Sequence, residues 1–335
     1  MALKWGVAGA GRISHDFVTA VQTFPETDHK FFAVAGRNKE NVEKFAKEHN
    51  IPKPYYDYLH LAEDTDVDIV YIGNLNTQHF ECTKLMLEHG KHVLCEKPFT
   101  MNEKQTSRLV TIAREKKLFL MEAVWSRCFP AYLEARKIID SGAIGDVLFA
   151  SVHFGHALQH VDRLRSMDMG GGAILDLGIY ILQFQQYVFR GLKPIKIAVN
   201  GHKNSWGTDE SAGAVITYPG GKMAVVSTSA RVTLPNEGII VGTKGTLKLP
   251  TFWCPTKLIT ADKTLEWSLP ESAVPFFHTN SAGLSYQAEE VRQCIKRGEI
   301  ECKHMTHEES IELARLMDTM RKEVGVIFPE DSQEF

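Results

Sequence analysis

Over the first ~120 residues, apolar positions fall into short runs divided by stretches of helical period. Leu3–Ala8 reads as an apolar strand, and Phe17 to Phe24 continues as helix. Phe31–Ala35 predicts a second strand, followed by the amphipathic stretch Asn41–His49. Asp68–Gly73 predicts strand and Phe80–His89 helix. His92–Cys95, Glu103–Lys116 and Leu118–Glu122 then read as strand, helix and strand. Strands alternating with helices predict a parallel, doubly wound sheet. Right-handed crossovers cover both faces of such a sheet, so its strands are apolar throughout.

The rhythm changes after about residue 125. Ala131–Ser141 predicts a helix, Val147–Phe154 begins a strand, and Ala173–Phe189 is strongly apolar and helical. From Ile195 to Leu269 the pattern is strand, turn, strand, with punctuation such as Tyr218-Pro219-Gly220-Gly221. Short connections predict antiparallel or mixed pairing. Helices near Leu284–Lys296 and His307–Val324 close the chain, and the polar tail Pro329–Phe335 is expected to fray. These patterns predict an α/β chain of two units. Residues 1–123 form the doubly wound unit. Residues 124–335 form an α+β domain with a large open, mostly antiparallel sheet.

Composition narrows the function classes. A length of 335 residues fits about two domains. A formal net charge of −3 gives no basic excess for nucleic acid or an anionic membrane. The six cysteines form no CxxC pair and read as buried thiols of a reducing compartment. The beginning of the chain has no charged leader with an apolar core, and no apolar run approaches the ~20 residues of a membrane span. The expected location is the cytosol.

Gly9-Ala10-Gly11-Arg12-Ile13-Ser14 follows the first strand and opens the first helix. Gly9 permits the tight turn, and Gly11 lets a pyrophosphate approach the helix N-terminus. Arg12 and Ile13 belong to the same turn, and Ser14 replaces the third glycine of the usual pattern. A plain strand-to-helix turn is the alternative, but the place in the first βαβ unit makes this a Rossmann dinucleotide site. At the end of the second strand the chain reads Ala33-Val34-Ala35-Gly36-Arg37-Asn38. Gly36 stands where NAD enzymes place an acid, and Arg37 follows. A guanidinium grips a 2′-phosphate that a carboxylate would repel, so NADP is the expected cofactor.

Cys95-Glu96-Lys97-Pro98 after a strand, with Gly170-Gly171-Gly172-Ala173-Ile174-Leu175-Asp176-Leu177-Gly178 further on, resembles the glucose–fructose oxidoreductase / inositol dehydrogenase / MocA-like family. The motifs occur in matching order over nearly the whole chain. Phe119–Ala123, Asp176–Tyr180 and Gly242–Gly245 resemble the dimeric dihydrodiol dehydrogenase branch in particular. That resemblance implies NADP-dependent oxidation of trans-dihydrodiols of aromatic hydrocarbons and of aldopyranoses such as D-xylose, with dicarbonyl reduction in reverse. It also implies a homodimer through the C-terminal sheet, with Val225, Ile239, Val241 and Leu247 as candidate contacts.

Much of the family carries Asp-x-Gly-x-His where this chain has Tyr180, and Gln183 stands where a further Asp is common. A free phenol, with pKa near 10, is a poor base at neutral pH. A nearby Lys97 ammonium is expected to lower it, making Tyr180 the proton acceptor. Asp176, one helical turn earlier, would keep Lys97 charged. Tyr71, Asn74 and His79 surround a post-strand loop that resembles the family's nicotinamide-side loop, with Glu96 beside Lys97. Trp125, Arg127, Phe154 and Ile179 are candidates for a wall around a planar diol or sugar. Each aromatic is about as easily core as pocket. His153, His156 and His160 lie in a stretch that is partly strand, and no metal is expected. The competing readings are a non-catalytic, nucleotide-sensing regulator on the same fold and another reductase or sugar dehydrogenase of this architecture.

Overall fold

The computed structural model describes residues 2–334; positions 1 and 335, the ends of the expected first and second units, lie outside them. Six parallel strands form the first sheet: β1 (Leu3–Ala8), β2 (His29–Ala35), β3 (Lys53–Tyr55), β4 (Ile69–Ile72), β5 (His92–Glu96) and β6 (Leu120–Ala123). Their order is β3-β2-β1-β4-β5-β6, so the chain reverses direction across the sheet between β1 and β4. Ligands in open α/β sheets lie at that reversal, outside the carboxyl ends of the strands. Strand β4 (Ile-Val-Tyr-Ile) is buried along its whole length, as coverage of both faces requires. Strand β3 and the short helix Tyr58–Glu63 are elements the pattern did not predict. At three and six residues they are too short to show a period.

The second sheet has eight strands: β7 (Val147–Gly155), β8 (Lys196–Lys203), β9 (Asp209–Tyr218), β10 (Lys222–Ser229), β11 (Glu237–Gly242), β12 (Gly245–Pro250), β13 (Lys257–Ile259) and β14 (Thr264–Glu266). Their order is β14-β13-β12-β11-β7-β10-β9-β8. Only β7 and β10 pair in parallel; every other neighbour is antiparallel. The inner face packs Ala150, Val152, Phe154, Val226 and Ile240 against the buried helix Ile179–Val188. Leu247 is fully buried on that same face, so it is not the outer-face contact expected of it; the two-residue period of β12 turns it inward. Val215, Val225 and Ile239 do alternate outward, and Val225 sits beside Val215 on one flank and Ser151 on the other.

The closing helices Leu284–Lys296 and His307–Val324 pack back onto the first unit. The His307 imidazole bonds the Leu120 carbonyl at 3.0 Å, and Arg315 pairs with Glu103 at 2.7 Å. The end of the chain is thereby fastened to the first unit. All six cysteines are unpaired and buried. Among the described residues, no helix is long and apolar enough to cross a membrane.

Candidate active site

A cavity of about 670 Å³ lies where the carboxyl ends of β4, β5 and β6 meet the inner face of the second sheet. One end is Arg12 and Ile13 of the glycine-rich turn; the other is Asp176, Tyr180, Phe154 and Trp253. The turn is built for close approach. Gly9 adopts φ +103°, and a Cβ there would stand 2.9 Å from the Asn74 amide nitrogen. Gly11 is different: a Cβ would meet nothing nearer than the Gly73 carbonyl at 3.9 Å, leaving open space over the turn. The helix Arg12–Val21 begins there with no side-chain cap and no acidic residue in its first turn. Its free N–H groups and positive end therefore suit a pyrophosphate, and the residues present fit a bound dinucleotide. Arg37 is exposed just past β2.

The reacting groups come from three elements. Lys97 directly follows β5, Trp125 opens the turn after β6, and Asp176 and Tyr180 flank the entry into the helix Ile179–Val188. The Lys97 ammonium donates to the Asp176 carbonyl at 2.9 Å and stands 3.5 Å from the Asp176 carboxylate. Arg163 reaches the same carboxylate at 3.0 Å. Burial pushes the Asp176 carboxyl up, but the two cations outweigh it and hold its pKa below the usual value. Asp176 therefore keeps a fixed negative charge beside Lys97.

Tyr180 departs from expectation. The Lys97 ammonium lies over its ring, 5.1 Å from the centroid, while the phenol oxygen accepts the Trp125 indole N–H at 2.9 Å. Burial raises the Tyr180 pKa well above 10, and the Glu96 charge raises it further; the indole bond pulls the other way and loses. The expected lowering by Lys97 is thus overturned. The ammonium is engaged at Asp176, and carboxylates surround the hydroxyl. Because indole nitrogen only donates, the phenol's own proton remains free for another partner.

Supporting residues that the sequence did not mark hold this entry in place. Ile174 donates its amide to the buried Asp209 carboxylate at 2.7 Å. Gly172, at φ +120°, brings its α-carbon against the other Asp209 oxygen, leaving no room for a Cβ. Burial raises the Asp209 pKa to about 6. Asn76 donates to the Gly170 carbonyl at 2.8 Å and so ties the glycine run to the loop after β4. A buried acid on a distant strand gives no local sequence signal.

Phe154, Trp253 and His156 form an aromatic wall: Phe154 lies 5.4 Å from the Tyr180 ring and 4.6 Å from Trp253. Ser126 bonds the Trp253 carbonyl at 2.5 Å and fixes it there. Asn74, His79 and Glu96 also border the cavity. His79 is buried, with its ring nitrogens facing the carbonyls of Pro98 at 2.8 Å and Asn74 at 3.2 Å; burial lowers its pKa to about 4. The neutral ring has one N–H and donates to one of these two carbonyls, from within the loops at the cavity edge.

Among the expected site residues, Tyr71, Ile179 and Arg127 are buried in the interior and do not line the cavity. Tyr71 is fully buried, stacked on Phe17 at 3.8 Å, with its hydroxyl donating to Glu96 at 2.8 Å. It positions Glu96. Ile179 points into the core. Arg127, wholly buried, bonds Gln183 at 3.2 Å, Gln186 at 2.6 Å and Glu309 at 2.9 Å. A buried guanidinium requires such partners, and Gln183 and Gln186 of the helix Ile179–Val188, with Glu309, supply them.

Two family models match this chain: an oxidoreductase family with an NAD-binding Rossmann fold over residues 3–124, and a GFO/IDH/MocA C-terminal domain over residues 132–248. The chain belongs to the GFO/IDH/MocA oxidoreductase family. It is 42% identical to the trans-1,2-dihydrobenzene-1,2-diol dehydrogenase of Danio rerio over 99% of this chain and 100% of that one. Among solved structures, a 3-ketoreductase of Actinomadura kijaniata bound to NADP is similar with a TM-score of 0.80 at 24% identity, covering 96% and 98% of the two chains. A levoglucosan dehydrogenase bound to NADH has a TM-score of 0.84 at 18% identity, covering 97% of each. At such identities these structures share the fold alone. Membership of the GFO/IDH/MocA family makes this protein an oxidoreductase with a nicotinamide dinucleotide site, consistent with the open glycine turn.

Proposed function

We propose that the protein oxidises trans-dihydrodiols of aromatic hydrocarbons, and aldopyranoses such as D-xylose, with NADP as acceptor, and reduces dicarbonyls in reverse. The observation that carries this reading is the meeting of Lys97, Tyr180 and Trp125 on one cavity that runs to the glycine turn. A regulator without turnover has no use for a phenol and an ammonium so placed.

NADP, when bound, supplies the hydride acceptor. The protein's own residues manage the proton. Tyr180 takes it from the substrate hydroxyl in its phenolate form, which burial and Glu96 disfavour and the Trp125 indole N–H favours, so turnover rises with pH. Lys97, positioned by Asp176, stabilises the developing alkoxide. Phe154 and Trp253 exclude water and offer flat surfaces to a planar ring. Exposed Arg37 selects the 2′-phosphate. We place this activity in the cytosol, where buried unpaired thiols are stable. We also assign the apolar outer row of the second sheet, Val215, Val225 and Ile239, to a homodimer contact.

The test is turnover with NADP and NAD against D-xylose, glucose and benzene dihydrodiol, followed at the reduced-nicotinamide absorbance. We expect NADP-dependent turnover of diol and xylose, lost in Tyr180→Phe. Near-normal turnover of that variant refutes the proton role, and equal use of NAD refutes the role of Arg37. A monomer by light scattering at micromolar concentration refutes the dimer.

A further inference from the structure

A second constellation stands outside the active site, on the flank of the glycine turn. His15 lies one turn into the helix Arg12–Val21, and Glu48 and His49 lie at the end of the helix Lys39–Glu48. One ligand-type atom from each of the three lies within 4.8 Å of the others. The His15 Nδ1 and His49 Nε2 atoms are 3.0 Å apart. The other nitrogen of His15, Nε2, is 3.1 Å from the Pro275 carbonyl. A carbonyl only accepts, so Nε2 carries the proton and Nδ1 presents a lone pair toward His49.

We propose that His15, Glu48 and His49 form a zinc site, with a fourth position left to water. Two nitrogens on one tetrahedral zinc, at ~2.05 Å each, stand ~3.3 Å apart, a few tenths of an ångström more than the separation seen here. The His15–Pro275 bond is the outer contact that metal-binding imidazoles make with their second nitrogen. His49 Nε2 donates to the His15 Nδ1 lone pair in the structure, so zinc replaces that hydrogen bond and leaves His49 as its Nδ1–H tautomer. The rings are braced by neighbours: Phe45 lies 4.5 Å from His49 and Phe277 lies 4.9 Å from His15. An ion enters through a cavity of about 760 Å³ bordered by Gly11, Lys44, Glu48 and Pro275. Two cations oppose it. Arg12 borders the same cavity but is drawn over the Phe277 ring at 5.4 Å. The Lys44 ammonium is 3.8 Å from Glu48, an exposed i,i+4 pair that zinc displaces at little cost.

The site would do more than store an ion. Pro275 belongs to the segment 270–280, which crosses from the second unit onto the glycine turn. Its far side is held by the next residue of the same helix: Asp16 accepts from the Phe277 and His278 amides at 2.8 and 2.9 Å and from Ser281 at 2.6 Å. Zinc on His15 fixes the imidazole that holds Pro275 and so completes the fastening of this strap. The proposal rests on ligand geometry alone and stands apart from the choice of substrate or cofactor.

The experiment uses the full chain, stripped of metal and dialysed against zinc, with bound metal counted and cobalt used as a coloured substitute. We expect one equivalent of zinc per chain and a tetrahedral cobalt band. Glu48→Gln and His15→Gln should each weaken binding on the order of ten-fold or more. Glu48 is exposed, so its variant tests the site without disturbing the core. Zinc should also slow amide exchange at Phe276 to His278, and not in Glu48→Gln. No zinc taken up at hundred-fold excess overturns the site. So does uptake that survives both substitutions but disappears in Cys294→Ser, which would move it to the buried group Glu290, Cys294 and Cys302. Binding without slower exchange overturns the strap.

Discussion

Replacing Trp125 with Phe removes one hydrogen bond and keeps an aromatic ring. The indole N–H is 2.9 Å from the Tyr180 oxygen, in a buried site where burial and the Glu96 carboxylate both disfavour the phenolate. That bond is the one contribution that favours the charged form among the effects identified there. A hydrogen bond to a charged acceptor contributes ~1.5–3 kcal/mol. The donor favours the phenolate, the form that accepts the proton, so kcat for diol or sugar oxidation at a fixed pH below the limb should fall by about ten- to a hundred-fold. Loss of the donor raises the phenol pKa further, so the limb of rising activity should move to higher pH. The assay is a kcat–pH profile of wild type and variant at saturating NADP. A smaller ring also loosens the packing against Phe129, 5.3 Å away, and that effect belongs in KM. If kcat and the limb stay in place while KM alone changes, Trp125 is wall and nothing more.

Glu96→Gln should act in the opposite direction. It keeps an acceptor for the Tyr71 hydroxyl but removes the charge that raises the Tyr180 pKa, so the same limb should move to lower pH with a few-fold gain at neutrality, about 1 kcal/mol. An unmoved limb would show that the Glu96 charge does not reach the phenol. Burial pushes the Asp209 pKa up to about 6 in the fold, against 3.8 for a free carboxyl. A raised folded pKa gives stability that is present below the unfolded value and lost as pH rises through the folded one, here ~3 kcal/mol between roughly pH 4 and 6. Asp209→Asn keeps an oxygen for the Ile174 amide and does not titrate. Its urea-unfolding stability relative to wild type should therefore climb across that window; a flat difference counts against the assignment. Arg127→Met should lower stability by ~1–3 kcal/mol by removing the partner of the buried Gln183 oxygen and one of the two guanidiniums on half-buried Glu309, with KM nearly unchanged. A large KM effect without loss of stability would return Arg127 to the substrate.

Local pattern was enough for most elements. The helices Leu284–Lys296 and His307–Val324 and the strand Leu3–Ala8 have the bounds their periodicity predicts. The glycine turn was equally legible, because a tight turn at Gly9 and an open approach at Gly11 are demands on residue type at fixed spacing. Lys97, Asp176 and Tyr180 could be named from motifs, and the structure brings all three to one cavity. The sequence could not tell which way a side chain faces. Arg127 and Phe154 were equal candidates for a wall, and only packing sent one to the interior and the other to the cavity.

Chain neighbours also did not decide electrostatics. The sign of the Tyr180 shift depends on burial and on Glu96, which lies 84 positions earlier in the chain, set against a bond from Trp125. Asp209 under Gly172, Arg163 on Asp176, and His15 facing His49 are likewise pairings across separate elements. A linear sequence determines which elements form, because their periods and turns are local. The energy of a charge or a ligand lone pair depends on everything within a few ångströms, and only the tertiary fold determines those neighbours.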